Sequence, residues 1–344
     1  MNGILVWRLP LCAFGKKSIF LRLLGGGSLV LQSMVAGLFV RGLTHVLIST
    51  VPPMSGLAAL FIAIFRRIKI VYWVMDLNPD QIIVSGKLSE SSLLARFSER
   101  VNRLILRRAD SVIALDSFMA KRLRNKVKLG GKLSIIPPWP YDNQLVDILH
   151  GQNFFRKMHG FADRFVVMYS GNITKVHPLD TLLAALIRLK DDDRFVFVFV
   201  GSEAARMRMD AFAADNKLNT VLTLAYVPLA ETQYSLSAAD LHVVTLGDNM
   251  VGIVHPCKVY GIMSVGRPFL AIGPKESHIG EILQTAPVGW MVGHGDIAGV
   301  VNVLETARSM THEEWKSMGD RGRDLVEKKY SRNVLCGRFS ELLK

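Results

Sequence analysis

Short apolar runs alternate with helix-like segments along most of the chain, and this alternation limits the possible folds more than any other feature. The clearest example is FVFVFVG (Phe195–Gly201), which precedes a helix-like segment at 204–217. An unbroken apolar run of this kind is typical of a strand buried on both faces of a sheet. Strands that alternate with helices form parallel βαβ units. The sequence therefore predicts an α/β protein with doubly wound, Rossmann-like sheets.

The alternation stops at residues 137–161, where prolines and polar residues show no clear period, and then it starts again. A chain of 344 residues is also too long for one ordinary hydrophobic core. We therefore predict two Rossmann-like domains, at 1–150 and 151–328, and a terminal helix at 329–344 that crosses back to the first domain. Ligands of such sheets bind at the carboxyl ends of strands, so we expect a ligand cleft between the domains.

Basic charge is concentrated in the first half of the chain. The net charge is +13, and lysine and arginine outnumber aspartate and glutamate by 20 to 8 in residues 1–150. This half is also very apolar, which favours an anionic membrane surface or a phosphorylated lipid as its partner; a solvated basic face is the alternative. No nucleic-acid-binding motif is present. The segment 88–109 is predicted to be an amphipathic helix, because apolar residues recur at helical spacing with arginines off that stripe.

The most apolar runs, at 29–40 and 54–65, are each about 12 residues long, which is short of the ~20 needed to span a bilayer. We read them as core or interfacial helices that could contact a membrane peripherally. The three cysteines, Cys12, Cys257 and Cys336, are scattered and lack CxxC spacing. This usage favours a reducing compartment and argues against a zinc site.

The stretch MYSGNITKVHPLDTLL (168–183) predicts a first phosphate-binding loop. A strand ends before Gly171 and Asn172, a polar loop carries Lys175 and His177, and a helix begins near Pro178. Glycine lets a ligand approach the backbone, and a helix N-terminus favours phosphate. A plain strand-to-helix turn explains the same residues equally well, and His177 is equally compatible with a core or capping role.

The stretch GIVHPCKVYGIMSVGRPFLAIG (252–273) predicts a second such loop. Gly252 and His255 lie in a loop, Pro256 suits a first helical turn, and Lys258 projects from that turn, where unpaired N–H groups already attract an anion. Two such loops facing one pocket could hold one diphosphate. The alternative for Lys258 is a solvated surface lysine.

Asp76 is the candidate catalytic carboxylate. It follows the apolar run KIVYWVM and precedes Pro79, so it lies at the carboxyl end of a strand. It could act as a base or orient a sugar hydroxyl, and an ordinary turn aspartate is the alternative.

The order of these motifs resembles glycosyltransferases with the GT-B fold, most of all the family 4 retaining group of bacterial polysaccharide and O-antigen assembly. The resemblance rests on SGN…H…LDTLL, FVFVGS, HPCKVYGIMSVGRPFLAIG and GDRGRDLVEKKYS in the later half, and on YWVMDLNPDQ and IALDSFMAKRL…IPPWPYDN in the first. It implies that Lys258 and the SGN backbone bind the donor diphosphate and that Asp76 lies beside the sugar and acceptor. With the candidate loops it gives a set of donor-binding residues: Gly171, Asn172, Lys175, His177, Gly201, Gly252, His255 and Lys258.

The chain departs from this family in three ways. The two glutamates of the E-x7-E motif are replaced by residues near Ile253 and Gly261, so ribose and sugar recognition must differ. Asn172 and His177 stand where an arginine and a lysine are usual, which leaves less positive charge near the diphosphate. The strand-like start GILVWRLP resembles the family's second unit, so we expect the first strand and helix to be absent.

The sequence thus predicts a retaining, metal-independent hexosyltransferase that needs no cofactor beyond its nucleotide-sugar donor. It would move a sugar from a nucleoside diphosphate, with UDP as the expected nucleotide, to a lipid-linked or polysaccharide acceptor. We expect a cytoplasmic protein peripheral to the inner membrane face. Two alternatives stay open: a degenerate or truncated relative that binds nucleotide without catalysis, and a nucleotide-sugar 2-epimerase on the same fold.

Overall fold

The computed structural model describes residues 5–10, 19–50, 54–140 and 145–344. Contacts divide the chain into two compact units. Unit 1 comprises Met1–Ile136, Gly252–His255 and Arg338–Lys344, and unit 2 comprises Pro137–Val251 and Pro256–Gly337. Each unit contains one parallel sheet with helices, so the predicted α/β class with two Rossmann-like sheets is confirmed.

Unit 1 is built on a four-stranded parallel sheet with the order β1-β2-β3-β4. The middle of this sheet is apolar, and Val71, Val112 and Ile113 are almost completely buried. Its strands are β1 (His45–Ser49), β2 (Lys69–Trp73), β3 (Ser111–Ala114) and β4 (Leu133–Ile135). Its helices are α1 (Ile19–Phe39), α2 (Ser55–Arg66), α3 (Asp80–Val84), α4 (Leu93–Arg108) and α5 (Ser117–Lys126).

Side-chain caps fix where α4 and α5, two basic helices of unit 1, begin. The Ser92 hydroxyl accepts a hydrogen bond from the Ala95 N–H at the start of α4, and the Asp116 carboxylate accepts one from the Met119 N–H at the start of α5. Such caps satisfy N–H groups that have no partner inside the helix.

None of the helices in the described part of the chain has both the length and the apolar character needed to cross a bilayer.

Unit 2 is built on a six-stranded parallel sheet with the order β10-β9-β8-β5-β6-β7. Its strands are β5 (Phe165–Ser170), β6 (Phe195–Gly201), β7 (Val221–Ala225), β8 (Leu241–Thr245), β9 (Phe269–Ile272) and β10 (Gly289–Val292). In β6 the phenylalanines pack into one apolar cluster and the alternating valines into a second. The strand is therefore buried on both faces, as its unbroken apolar run predicts.

Between β5 and β10 the helices of unit 2 alternate with its strands along the chain, and further helices stand before and after this region. Short 3₁₀ turns at His150–Gln152, Leu229–Glu231 and Asp248–Met250 connect some of them. The helices are α6 (Phe154–Met158), α7 (Asp180–Arg188), α8 (Glu203–Asp215), α9 (Thr232–Ala238), α10 (Lys258–Ser264), α11 (His278–Thr285), α12 (Ile297–Ser309), α13 (His312–Leu325) and α14 (Arg332–Glu341), the last of which ends in unit 1.

The segment 137–161, which the sequence suggests is a linker, belongs to unit 2 where it is described. The Arg156 guanidinium is buried and donates hydrogen bonds to the carbonyl oxygens of Ala238, Ala162 and Arg164 and to the Asp240 carboxylate. The Arg267 guanidinium lies 2.8 Å from the Asp147 carboxylate. Contacts therefore place the boundary after Ile136 rather than at residue 150. The motif IPPWPYDN is described only as far as Pro140.

Two local expectations differ from the structure. Residues 5–10 of the strand-like start GILVWRLP form no strand, and Leu5, Val6 and Trp7 are exposed instead of packed in a sheet. The terminal helix is also not continuous. A π-helical turn (Val326–Tyr330) ends at Ser331, whose backbone is extended, and the Ser331 hydroxyl then accepts a hydrogen bond from the Val334 N–H as α14 begins.

Candidate functional site

Two tyrosine hydroxyls fix the position of the loop after β5 by hydrogen bonds. The Tyr169 hydroxyl donates to the Asn172 carbonyl oxygen at 2.7 Å, and the Tyr226 hydroxyl donates to Asn172 Oδ1 at 3.0 Å. Gly171 has φ = 144°, which favours glycine, and its N–H donates to the Val200 carbonyl. The exposed backbone of this loop is therefore fixed without a bulky side chain over it.

Lys258 lies directly against this loop. Its Nζ is 4.0 Å from the centre of the Tyr169 ring, and a Cβ added to Gly171 would lie 2.8 Å from it. Within the described residues this buried Nζ has no hydrogen-bond partner. Burial lowers the pKa of Lys258 to about 7. A cation–π contact stabilises the ammonium only modestly, so the site favours an anionic ligand.

The two predicted phosphate-binding loops therefore lie side by side at Gly171 and Lys258. The sheet order explains why. Because β5 and β8 are neighbours, the segments after their carboxyl ends lie side by side, and α10 follows β8 along the chain. This is the position at which ligands of open parallel sheets bind.

Gly201 lies at the end of β6 and lets the neighbouring chain approach closely. A Cβ added there would lie 3.2 Å from both the Gly171 carbonyl oxygen and the Ala205 Cβ. The adjoining Ser202 hydroxyl caps α8 by accepting from the Ala205 N–H. Gly201 thus supports the shape of the Gly171 loop.

His177 lies near Lys258 in the same unit. Its Nδ1–H donates to the Thr245 carbonyl oxygen at 2.9 Å. Burial, followed by the charge of Lys258, lowers the pKa of His177 to about 4, so the ring is neutral near pH 7. A neutral ring that donates through Nδ1 has a lone pair on Nε2 and can only accept there. His177 is therefore suited to a hydroxyl group rather than to a phosphate oxygen. The Lys175 side chain is exposed in the same loop.

Asp76 lies in unit 1, after β2. Its backbone N–H donates to the Thr50 hydroxyl at 3.1 Å, which fixes the start of the turn. Burial raises the pKa of the Asp76 carboxyl. A carboxylate with a raised pKa is a better proton acceptor than an exposed one, which is the property that a general base needs.

Gly252 and His255 belong to unit 1 by their contacts and not to the Gly171 loop. A Cβ added to Gly252 would lie 2.7 Å from the Phe118 carbonyl, and its φ of 69° also favours glycine. The buried His255 Nδ1 lies 2.8 Å from Asp116 Oδ2, and the Leu77 N–H donates to the Ile253 carbonyl. These contacts give both residues a structural role, and their binding of a donor stays a prediction.

Sequence reasoning missed Tyr169 and Tyr226. Tyr169 is the last but one residue of β5, so its ring belongs to an apolar strand in the sequence pattern, and Tyr226 follows the end of β7. An aromatic residue with a hydroxyl near the carboxyl end of a buried strand is the signal that was available, because such a hydroxyl needs a hydrogen-bond partner.

Known proteins that are similar to this chain in sequence are named as glycosyltransferases. No protein-family model matches the chain. Glycosyltransferase WbjE of Pseudomonas aeruginosa is 23% identical over 276 residues, which cover 80% of this chain and 68% of that protein. The colanic acid biosynthesis glycosyl transferase WcaI of Escherichia coli K12 is 22% identical over 289 residues, which cover 82% of this chain and 70% of that protein.

Solved structures are similar over most of this chain. Sucrose-phosphate synthase of Thermosynechococcus elongatus gives a TM-score of 0.77 at 17% identity, and covers 98% of this chain and 82% of its own. Anabaena HepE in complex with UDP-glucose gives 0.72 at 15% identity, and covers 93% of this chain and 82% of its own. This chain has the GT-B fold and is similar in sequence to proteins named as glycosyltransferases. In this GT-B chain, Gly171 and Lys258 form the part of the candidate site that the structure brings together.

Proposed function

We propose that this glycosyltransferase moves a sugar from a UDP-sugar to a lipid-linked or polysaccharide acceptor with retention of the anomeric configuration. The observation that carries the proposal is the Lys258 ammonium beside the open backbone of Gly171, buried and without a hydrogen-bond partner in the described residues. A UDP diphosphate supplies the oxygens that this cation lacks. The complex of HepE with UDP-glucose supports UDP as the nucleotide.

In the proposed reaction the diphosphate gains negative charge as its bond to the sugar breaks. Lys258 and the backbone around Gly171 and Asn172 stabilise that charge in place. His177 accepts a hydrogen bond from a sugar hydroxyl through Nε2. These groups supply the stabilisation themselves, so the proposed mechanism uses no metal ion.

Asp76 is proposed to serve the acceptor. Its raised pKa suits it to accept a hydrogen bond or a proton from the acceptor hydroxyl. Because Asp76 belongs to unit 1 and Lys258 to unit 2, the two roles are predicted to separate in variants.

We propose that the protein acts as a peripheral protein at the inner face of the membrane, where a lipid-linked acceptor would lie. Exposed apolar side chains recur at helical spacing on one face of α1: Leu24, Leu31, Val35 and Phe39. Phe39 is 75% exposed. Such a face on a basic unit is suited to lie in the interface of an anionic bilayer.

A donor assay tests this proposal. The purified chain is incubated with a panel of UDP-sugars, with and without a lipid-linked saccharide extracted from bacterial membranes. UDP release that requires the acceptor, with a product of unchanged anomeric configuration by NMR, supports transfer. A free epimerised UDP-sugar would point to the epimerase instead. UDP binding without turnover would point to the degenerate relative.

A further inference from the structure

Unit 1 contains a cavity of about 950 Å³ that the proposed donor site does not use. It is lined by α3, the start of α4 and the end of α5, and basic side chains outnumber acidic ones in its wall. The basic residues are Arg96, Arg100, Arg103, Arg122 and Lys126, and the acidic residues are Asp80, Glu90 and Glu99. The cavity is thus a candidate site for an anion.

Ion pairs inside the cavity account for only part of this basic charge. Lys126 Nζ lies 2.7 Å from both the Asp80 and the Glu99 carboxylates, and Arg103 Nε lies 2.7 Å from Glu99. In the described chain no carboxylate pairs with Arg96 or Arg100. These two residues are four positions apart on α4, so they lie on one face of the helix. Two guanidiniums in one wall are suited to bind a phosphate or diphosphate bidentately.

An exposed apolar strip runs along α4 beside these arginines. Leu93 is 84% exposed, Phe97 50% and Leu104 43%. At about 100° per residue, these three positions occupy the sector of the helix next to Arg96 and Arg100. Ile105 and Leu106, on the opposite side, are buried. One helix therefore presents guanidiniums to the cavity and an unpacked apolar strip next to them.

We propose that this cavity binds the diphosphate of a lipid diphosphate, with Arg96 and Arg100 on the phosphates and the lipid chain along Leu93, Phe97 and Leu104. Charge and apolar surface lie side by side on α4, which suits a phosphorylated lipid at a bilayer surface better than a soluble anion. That this lipid is the acceptor rests on the proposed function. Pro79 and Asp80 line the cavity and closely follow Asp76, so the bound diphosphate would lie next to the Asp76 turn.

Vesicle binding by the full chain tests the site. The probes are phosphatidylcholine vesicles that contain either a polyprenyl diphosphate or phosphatidylglycerol at matched surface charge, with inorganic pyrophosphate as a soluble competitor. The test variant is Arg96→Gln/Arg100→Gln. The matched control is Arg107→Gln/Arg108→Gln, which removes two exposed charges from the same helix outside the cavity. Phe97→Ser tests the apolar strip.

We expect the wild type to prefer diphosphate-lipid vesicles and pyrophosphate to compete. The test variant should lose affinity about 30-fold, a factor of about five for each guanidinium near an anionic surface. The control should lose much less, and Phe97→Ser should weaken vesicle binding while leaving competition by pyrophosphate unchanged. Equal losses in the test and control variants, or no preference over phosphatidylglycerol, would overturn the site.

The UDP affinity of each variant, measured in parallel, separates this site from the proposed function. Unchanged UDP binding in the arginine variants is expected, since Lys258 and Gly171 belong to unit 2. A wild type that binds diphosphate-lipid vesicles through Arg96 and Arg100 but binds no UDP would overturn the proposed function and leave the lipid site standing. UDP binding without any lipid preference would do the reverse.

Discussion

Replacing Lys258 by methionine is expected to weaken UDP binding while leaving the fold as stable as before or more stable. The two effects differ in sign because the ammonium is buried without a hydrogen-bond partner in the described residues and rests on the Tyr169 ring. Methionine keeps the apolar stem and the contact with the ring but removes the charge. A purely structural lysine would show the opposite pattern.

The magnitude follows from the charge of Lys258. A hydrogen bond to a charged group contributes about 1.5–3 kcal/mol. With a pKa of about 7, Lys258 is half protonated at pH 7, and completing its protonation costs about 0.4 kcal/mol. The loss of affinity for UDP at pH 7 should therefore be roughly tenfold to a hundredfold. The free energy of unfolding should stay constant or rise by up to about 2 kcal/mol, because an unpaired buried donor is removed.

Isothermal titration calorimetry with UDP and urea unfolding measure the two quantities. Lys190→Met is the matched control, because Lys190 is exposed in the same unit and lies outside the candidate site. It should change neither quantity appreciably. A Lys258→Met variant that binds UDP as tightly as the wild type, and that is less stable, would refute the assignment of Lys258 to the diphosphate.

The same lysine predicts how the affinity depends on pH. Burial lowers the pKa of free Lys258 to about 7, and a bound diphosphate would raise it. Above pH 7 the free protein must then take up a proton when it binds UDP, so the dissociation constant should rise by up to about tenfold per pH unit. The range 7.5–9 is suitable because the terminal phosphate of UDP, with a pKa of about 6, is already ionised there. A flat profile in the wild type would contradict the pKa argument, and Lys258→Met should be flat.

Three further variants separate acceptor chemistry, loop geometry and folding. Asp76→Asn should lower the rate of acceptor-dependent UDP release by at least about a hundredfold while changing UDP affinity less than twofold; retained turnover would make Asp76 an ordinary turn residue. Gly171→Ala should weaken UDP binding about tenfold by calorimetry, since the Cβ lies against Lys258 Nζ at an unfavourable φ, whereas Gly293→Ala, with open space around it, should not. Arg156→Leu should reduce the free energy of unfolding by about 3–5 kcal/mol because four hydrogen bonds are lost. The control Arg188→Leu, at an exposed position, should reduce it by less than about 1 kcal/mol. An equally small loss for Arg156→Leu would contradict a structural role for the buried guanidinium.

The strands and most helices could be predicted because their signals are local. The run Phe195–Gly201 predicts β6, which has the same bounds in the structure, and α5 spans Ser117–Lys126. The Asp116 cap is visible in the sequence because its carboxylate precedes the helix directly. Such features need no knowledge of the distant chain.

The unit boundaries depend on distant contacts, which no local pattern reveals. Arg156 stands in a polar stretch that has the composition of a linker, yet its partners include Ala238 and Asp240, far along the chain. His255 precedes α10 in sequence but lies against Asp116. The candidate site could likewise be predicted only in part, because local patterns do not reveal contacts between distant segments. Loops with Gly171 and Lys258 could be recognised one by one, but their contact depends on the adjacency of β5 and β8.

Helix α4 shows why periodicity predicts a helix more reliably than it predicts which face is buried. The apolar residues of 88–109 recur at helical spacing, but only part of that stripe packs against unit 1: Val101 and Ile105 are buried, whereas Leu93, Phe97 and Leu104 are exposed. If α4 had only one apolar face, packing against the core of unit 1 would bury all of it. The proposed lipid site would give the exposed apolar side chains beside Arg96 and Arg100 a non-aqueous neighbour and so lower their free energy. An anionic lipid supplies an apolar surface and a phosphate together, so the same helix that completes the core of unit 1 is suited to meet the bilayer.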